Sequence, residues 1–112
     1  MGNEPVVVVR QYELSRWVLA RVAQYPRGFR FSLGDRTINT CLSILEHLVE
    51  ATYSRSKRSQ LERANLDLEK LRFLVRLAKD EQCLSLGQYE YASRELTEIG
   101  RQVGGWRKQV EH

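Results

Sequence analysis

Apolar side chains recur at intervals of three and four residues in four separate segments of the chain. This spacing places them on one face of an α-helix, whereas a half-buried strand would alternate them every second residue. The clearest stripe lies in the third segment and runs Leu61, Ala64, Leu68, Leu71, Val75 and Ala78. The pattern predicts an all-α chain with helices at about 7–25, 32–53, 57–82 and 86–109.

Short breaks separate the predicted helices, and they carry residues that end or begin a helix. Pro26 and Gly28 interrupt the chain after the first helix. Ser32 and Ser85 each precede an acidic or amide side chain by three residues, an arrangement that can cap a helix N-terminus. Because short connections make consecutive helices antiparallel neighbours, we expect one domain over residues 1–112, an up-down-up-down antiparallel four-helix bundle.

The third predicted helix carries more apolar surface than one bundle seam uses. Phe73 and Leu77 lie on a face offset from the main stripe, together with Leu66. An uncovered apolar face of this kind favours an interface between copies, so we expect a homo-oligomer. The alternative is simple exposure of a few apolar side chains, which protein surfaces tolerate.

The fourth predicted helix has a stripe of small residues beside its core positions. The stripe consists of Ser93, Thr97, Gly100 and Gly104. Glycine inside a helix costs up to about 1 kcal/mol relative to alanine, so a compensating contact is expected. We therefore predict that a neighbouring helix, in this chain or in another copy, packs closely against Gly100 and Gly104, with Trp106 facing inward. The alternative is that Gly104 and Gly105 end the helix.

The composition is that of a basic chain with few special features. Its 112 residues include 18 Lys and Arg against 14 Asp and Glu, a formal net charge of +4. This charge favours a polyanionic partner, although a solvated basic surface without a partner also explains it. No apolar run approaches the roughly 18 residues of a membrane span, so no membrane contact is expected. Because no secretory signal is visible, Cys41 and Cys83 are predicted to be free thiols in the cytoplasm.

None of the common catalytic or cofactor patterns fits the chain. A di-iron bundle site needs Glu-x-x-His on two helices, and neither His47 nor His112 has Glu three residues before it. Cys41 and His47 point in different directions on one helix, which excludes a Cys–His nucleophile pair. Zinc-ligand spacings and phosphate-binding glycine loops are missing from the sequence as well. We therefore expect no enzyme activity, no metal and no cofactor.

Positive side chains form the most informative polar pattern. Arg72, Arg76 and Lys79 follow one another at helical spacing beside the apolar stripe of the third helix. The further candidate binding residues are Arg55, Lys57, Arg58, Arg63, Arg16 and Arg21. Such side chains can bind the phosphates of a nucleic acid or an acidic protein surface. Alternatively, they form a solvated face in which pairs such as Glu69 and Arg72 neutralise each other.

Five stretches of the chain carry a family resemblance. They are YPRGFRFSLGDR at 25–36, ATYS at 51–54, LRFLVRLAKD at 71–80, SLGQYEYA at 85–92 and EIGRQVGGWRK at 98–108. In this order they resemble Avd, the accessory variability determinant of diversity-generating retroelements. A sibling group comprises the four-helix proteins encoded in intervening sequences of 23S ribosomal RNA genes. That group typically carries Asn-Ile-Ala-Glu-Gly where residues 48–52 of this chain read Leu-Val-Glu-Ala-Thr, so it fits less well.

The Avd resemblance implies a four-helix protomer in a barrel-shaped homopentameric ring whose basic surface binds RNA and DNA. It also implies a complex with the element's reverse transcriptase that supports mutagenic retrohoming, while the polymerase activity belongs to that partner. Arg72 and Arg76 lie in the matching LRFLVR stretch and are the first candidates for contacts with reverse transcriptase or RNA. A ribosomal-RNA-associated protein of the sibling group and a plain oligomeric interaction module stay open as alternatives.

Overall fold

The computed structural model describes residues 3–110, which form four long helices and one short one. The helices are α1 (Val6–Val22), α2 (Arg27–Arg30), α3 (Leu33–Tyr53), α4 (Lys57–Asp80) and α5 (Leu86–Val110). The four long helices pack side by side into a body of 45 × 23 × 21 Å. The prediction of an all-helical chain with a four-helix bundle is therefore confirmed for one protomer.

The long helices surround a common core in the order α1, α3, α4 and α5. Each packs on the next one along the chain, and α5 returns to α1 to complete the circuit. The α3–α4 contact is the most extensive, and the α5–α1 contact is the least. The bundle is consequently packed most extensively between α3 and α4 and least extensively where α5 meets α1.

The core contains the apolar stripe that the sequence predicts for α4. All six of its members are buried, from Leu61 to Ala78. On α5 the inward positions include Leu96 and Ile99, which are also buried. On α3 the buried stripe is centred on Ile44. Val49 lies at helical spacing from other apolar residues of α3, which predicts an inward position, but its side chain is exposed.

A polar cluster joins α1 to α3 inside this core. Gln11 is fully buried, and its Nε2 donates a hydrogen bond to the carbonyl oxygen of Cys41 at 3.0 Å. The Ser15 hydroxyl donates to the Gln11 carbonyl at 2.8 Å and lies 3.5 Å from Cys41 Sγ. Burial raises the pKa of the Cys41 thiol, so it stays neutral and packs as a small side chain.

A second polar cluster joins α3 to α4. The Ser43 hydroxyl donates to Asp67 Oδ2 at 2.8 Å, and His47 Nδ1 lies 3.0 Å from Gln60 Oε1. His47 Nε2 lies 3.5 Å from the same Asp67 oxygen. These contacts satisfy largely buried polar atoms, which gives His47 a structural explanation.

The connection between α1 and α3 differs from the predicted one. The first helix ends at Val22, and the chain then turns Tyr25 into the core before the short helix α2 follows Pro26. Burial raises the pKa of Tyr25 to about 12, so its hydroxyl remains protonated. Because Pro26 fixes the backbone at the start of α2, this turn is compact rather than extended.

The glycine that permits close packing within the protomer is Gly34. A β-carbon at Gly34 would lie 2.6 Å from Val22 Cγ1 and 3.3 Å from the Phe29 carbonyl oxygen. At Gly100 a β-carbon would meet only the Arg72 guanidinium, at 3.2 Å, and at Gly104 it would meet nothing within 4 Å. Among residues 3–110, a neighbouring helix therefore approaches Gly100 only through the Arg72 side chain and does not approach Gly104, and close packing against another copy stays a prediction.

The two predicted N-terminal caps have different outcomes. At the start of α5, the Gln88 amide donates to Ser85 Oγ at 3.1 Å, and the Ser85 amide donates to Gln88 Oε1 at 2.9 Å. This reciprocal pair is the predicted capping box. At the start of α3, Ser32 makes no side-chain cap, because its hydroxyl instead donates to the Gly28 carbonyl at 3.3 Å.

We expect Gly34→Ala to lower the free energy of unfolding by about 1–3 kcal/mol, because the added methyl group would collide with Val22. Gly104→Ala should raise the free energy of unfolding by up to about 1 kcal/mol, since its site is open. Urea unfolding followed by circular dichroism measures both. A destabilised Gly104→Ala would instead indicate that another copy packs on this glycine.

We expect Ser85→Ala to lower the free energy of unfolding by about 1 kcal/mol, because it removes a cap acceptor. Ser32→Ala is the matched control and should change it by less than about 0.5 kcal/mol, since that hydroxyl caps no amide. Equal losses in the same urea titration would contradict the difference between the two caps.

Candidate nucleic-acid interface

A groove of about 340 Å³ runs between α4 and α5 and holds the centre of the predicted cationic row. Arg72, Phe73 and Arg76 line it from α4, and Tyr89 and Ser93 line it from α5. Glu69 stands on the same wall and contributes the single carboxylate among the described lining residues. The groove therefore combines cations, a hydroxyl and aromatic rings on one surface.

Arg72 is held across the groove by both helices. Its Nη2 donates to the Leu96 carbonyl oxygen at 3.2 Å, and its Nη1 donates to Thr97 Oγ1 at 3.4 Å. Its Nε lies 3.3 Å from a Glu69 carboxylate oxygen. These contacts fix the guanidinium in place, so Arg72 contributes to helix packing as well as to the charge of the groove.

Arg76 and Lys79 continue the row but differ in their contacts with other residues of the protein. Arg76 is exposed, and it makes no ion pair or side-chain hydrogen bond with any residue between 3 and 110. Lys79 Nζ lies 3.3 Å from Asp80 and 4.9 Å from the centre of the Tyr89 ring. Within the described chain, Arg76 is consequently the cation of this row whose donors are all available to a ligand.

Small side chains keep the α5 side of the groove open. Ser93 lines it directly, and Thr97 bonds to Arg72 one turn further along. Gly100 follows beside the Arg72 guanidinium, which would lie 3.2 Å from an added β-carbon. Of the predicted stripe of small residues, Ser93 thus lines the cationic groove, while Thr97 and Gly100 lie against the Arg72 guanidinium.

The other predicted binding residues lie away from this groove, and several have structural partners. Lys57 Nζ donates to the carbonyl oxygens of Ala51 and Thr52, at 2.7 and 3.2 Å, and so stabilises the C-terminal end of α3. Arg58 pairs with Glu62 at 3.1 Å, and Arg16 lies 3.5 Å from Glu13. Arg55 and Arg63 are exposed, whereas Arg21 is half-buried.

Two further arginines each pair with a carboxylate through two hydrogen bonds, and spacing along one helix does not reveal both partners. Arg10 reaches from α1 to Glu95 on α5 with two hydrogen bonds of 3.0 Å, which raise the pKa of Arg10. Arg101 and Glu98 pair within α5, and the hydrogen bond from Arg101 lowers the pKa of Glu98 to about 2. Both arginines are therefore matched by a carboxylate of the protein, and that of Glu98 stays ionised at neutral pH.

The remaining grooves have a different chemistry. A groove of about 370 Å³ between α1 and α3 is mainly apolar, with Tyr12, Val49 and Tyr53 among its walls. Its charged lining residues in the described chain are Glu4 and Glu13, so it would repel phosphate. A third groove, of about 500 Å³, lies between the start of α1 and the end of α5. It is bordered by Trp106, Gly105 and the paired Arg101.

The predicted contact residues outside the core also have defined positions. Phe73 and Leu77 are exposed on α4, as is Leu66, and Trp106 is half-buried against the core.

Among residues 3–110, no three His, Cys, Asp or Glu side chains stand close enough together to hold a metal ion. Over the same range, no helix has the length and apolar character required to cross a membrane.

Comparison with known proteins supports one family. No curated protein matches the chain. The family model described as bAvd-like matches residues 6–110, which include all five helices and both walls of the cationic groove. This match confirms the resemblance to Avd, a family of accessory proteins, and we conclude that the chain belongs to the bAvd-like family.

Proposed function

We propose that this protein is a non-enzymatic accessory factor of a diversity-generating retroelement. In this role it binds the element's reverse transcriptase and its template RNA or cDNA, and so supports mutagenic retrohoming. Membership of the bAvd-like family supports the accessory role. The observation that carries nucleic-acid binding is the α4–α5 groove, in which Arg76 stands uncommitted beside Arg72 and Lys79.

Phosphate is the ligand chemistry that suits this groove best. Arg72 supplies a positioned guanidinium, and Arg76 supplies donors that no described residue occupies. Guanidinium groups bind phosphate oxygens through paired hydrogen bonds and hold their charge at any physiological pH. Contacts of this kind position a nucleic-acid backbone without reading its sequence. A template RNA and its cDNA are both compatible with such a surface.

Carboxylates of the protein itself neutralise part of its positive charge. Arg10, Arg58 and Arg101 each pair with a carboxylate on the protein. Arg76 makes no such pair with the described part of the chain, and the lining of its groove is more cationic than acidic. Pairing within the protomer therefore leaves the α4–α5 groove with charge to offer a partner, as it does the exposed Arg55 and Arg63 elsewhere on the surface.

The protein partners in this proposal are the reverse transcriptase and further copies of the chain. Leu66, Phe73 and Leu77 expose apolar side chains on the outer face of α4, which supports a protein contact in that region. A homopentameric ring would repeat the cationic groove around one assembly. Repeated weak sites on one strand raise the overall affinity by raising the effective concentration of each site.

We expect Arg76→Ala to weaken RNA binding roughly fivefold at physiological salt and to reduce the slope of log Kd against log salt by about 1. The reason is the loss of one phosphate contact by an arginine that has no structural partner among the described residues. Fluorescence anisotropy over a salt series measures both quantities. Arg101→Ala removes the same charge from a paired site, so it is the matched control and should change neither quantity much.

We expect the protein to copurify with the reverse transcriptase of a diversity-generating retroelement and to form a homo-oligomer measurable by light scattering. RNA binding without reverse-transcriptase binding would favour the ribosomal-RNA-associated group instead. Oligomerisation with neither partner would favour a plain interaction module. Either result would contradict the proposed accessory role.

A further inference from the structure

We infer that the α4–α5 groove takes an unpaired nucleotide whose base stacks on the exposed ring of Phe73. This inference rests on the proposed function and extends it, because it specifies single-stranded nucleic acid as the preferred ligand. Phe73 is 68% exposed, yet it lines the groove together with Arg72 and Arg76. A solvent-exposed aromatic ring that shares a groove with two guanidinium groups can contact a base while the cations contact its phosphates.

The second aromatic ring of the groove, that of Tyr89, already has a cation beside it. Tyr89 is half-buried, and Lys79 Nζ stands 4.9 Å from the centre of its ring. That cation covers a face on which a base could otherwise stack. Phe73 has no aromatic or cation–π partner within the described residues, so it is the ring that remains open to a ligand.

Charge and ring together favour an unpaired strand over a duplex. A duplex presents its phosphates to a basic surface, but the faces of its bases are stacked inside the helix. Arg76 could therefore bind either form, whereas Phe73 gains a stacking contact only from an unpaired base. Preference for single strands should thus depend on Phe73, and salt-dependent affinity should depend on Arg76.

A protein helix is the competing occupant of this region, because Leu66 and Leu77 are exposed on the same face of α4. Neither leucine lines the α4–α5 groove, whereas Phe73 does. Phe73 shares the lining of this groove with Arg72 and Arg76. The position of Phe73 therefore favours a base with its phosphates over an apolar helix.

The test compares a short unstructured RNA, the DNA of the same sequence, and the matching RNA duplex, each bound to the full chain in fluorescence anisotropy titrations. Phe73→Leu keeps an apolar side chain but removes the ring, and it should weaken both single strands roughly tenfold. Its affinity for the duplex and its salt slope should stay like those of the parent. Phe73→Trp should restore single-strand binding, and the new indole should be quenched as the RNA binds.

Tyr12→Leu is the matched control, because Tyr12 is an exposed aromatic residue in the α1–α3 groove, whose described charged lining residues are acidic. It should leave single-strand affinity unchanged. Circular dichroism and light scattering confirm that each variant keeps the fold and assembly of the parent, as expected for the replacement of an exposed ring. A loss in Phe73→Leu confined to single strands supports the inference.

Four outcomes would overturn the stacking contact. They are parental affinity in Phe73→Leu, an equal loss for duplex and single strands, an equal loss in Tyr12→Leu, or an effect confined to assembly or to reverse-transcriptase binding. If Phe73→Leu binds single strands like the parent, a clear loss of RNA affinity in Arg76→Ala would still support the proposed phosphate-binding function. If the parent protein binds neither single strands nor duplex, the proposed function fails as well.

Discussion

The burial of one apolar stripe on α4 determines which way the Arg72 and Arg76 side chains face. Leu71 and Val75 are among the six buried positions of that stripe, and α4 is packed between α3 and α5. Because an α-helix has 3.6 residues per turn, residues that follow the buried positions share one side of α4. Arg72 and Arg76 follow Leu71 and Val75, and both line the α4–α5 groove. Turning the helix to bury either guanidinium would remove a charge from water at large cost. Hydrophobic burial therefore orients the basic surface.

Local periodicity predicts this fold well where one helix face is clearly more apolar than the others. The α4 stripe is buried as predicted, but on α3 apolar residues occupy a wider arc, so Val49 is exposed while Ile44 is buried. The short helix α2 and the close approach at Gly34 depend on how α1 meets α3, which spacing along one helix does not contain. The Arg10–Glu95 pair likewise joins residues that only the closed bundle brings together.

The candidate site is predictable to a similar extent. Spacing correctly places Arg72, Arg76 and Lys79 along one side of α4, but it does not reveal which of them have partners. Arg72 is tied to the backbone of α5, whereas Arg76 makes no side-chain bond within the described residues. Lys57 stabilises a helix end, although its sequence neighbourhood is equally basic. A cation's availability depends on contacts between helices, and so it becomes known only when the helices are assembled.

The size of the groove links the proposed nucleic-acid contact to the proposed assembly. A groove of about 340 Å³ with one open ring can engage only a short stretch of a strand, so each protomer alone would bind weakly. In the proposed contact, charge would supply affinity that falls with salt, and stacking on Phe73 would supply a preference for unpaired bases that salt does not screen. Several grooves held at fixed spacing would combine these small contributions into tight binding of one strand. A ring of identical protomers would therefore give the groove its function without any change in the chemistry of a single copy.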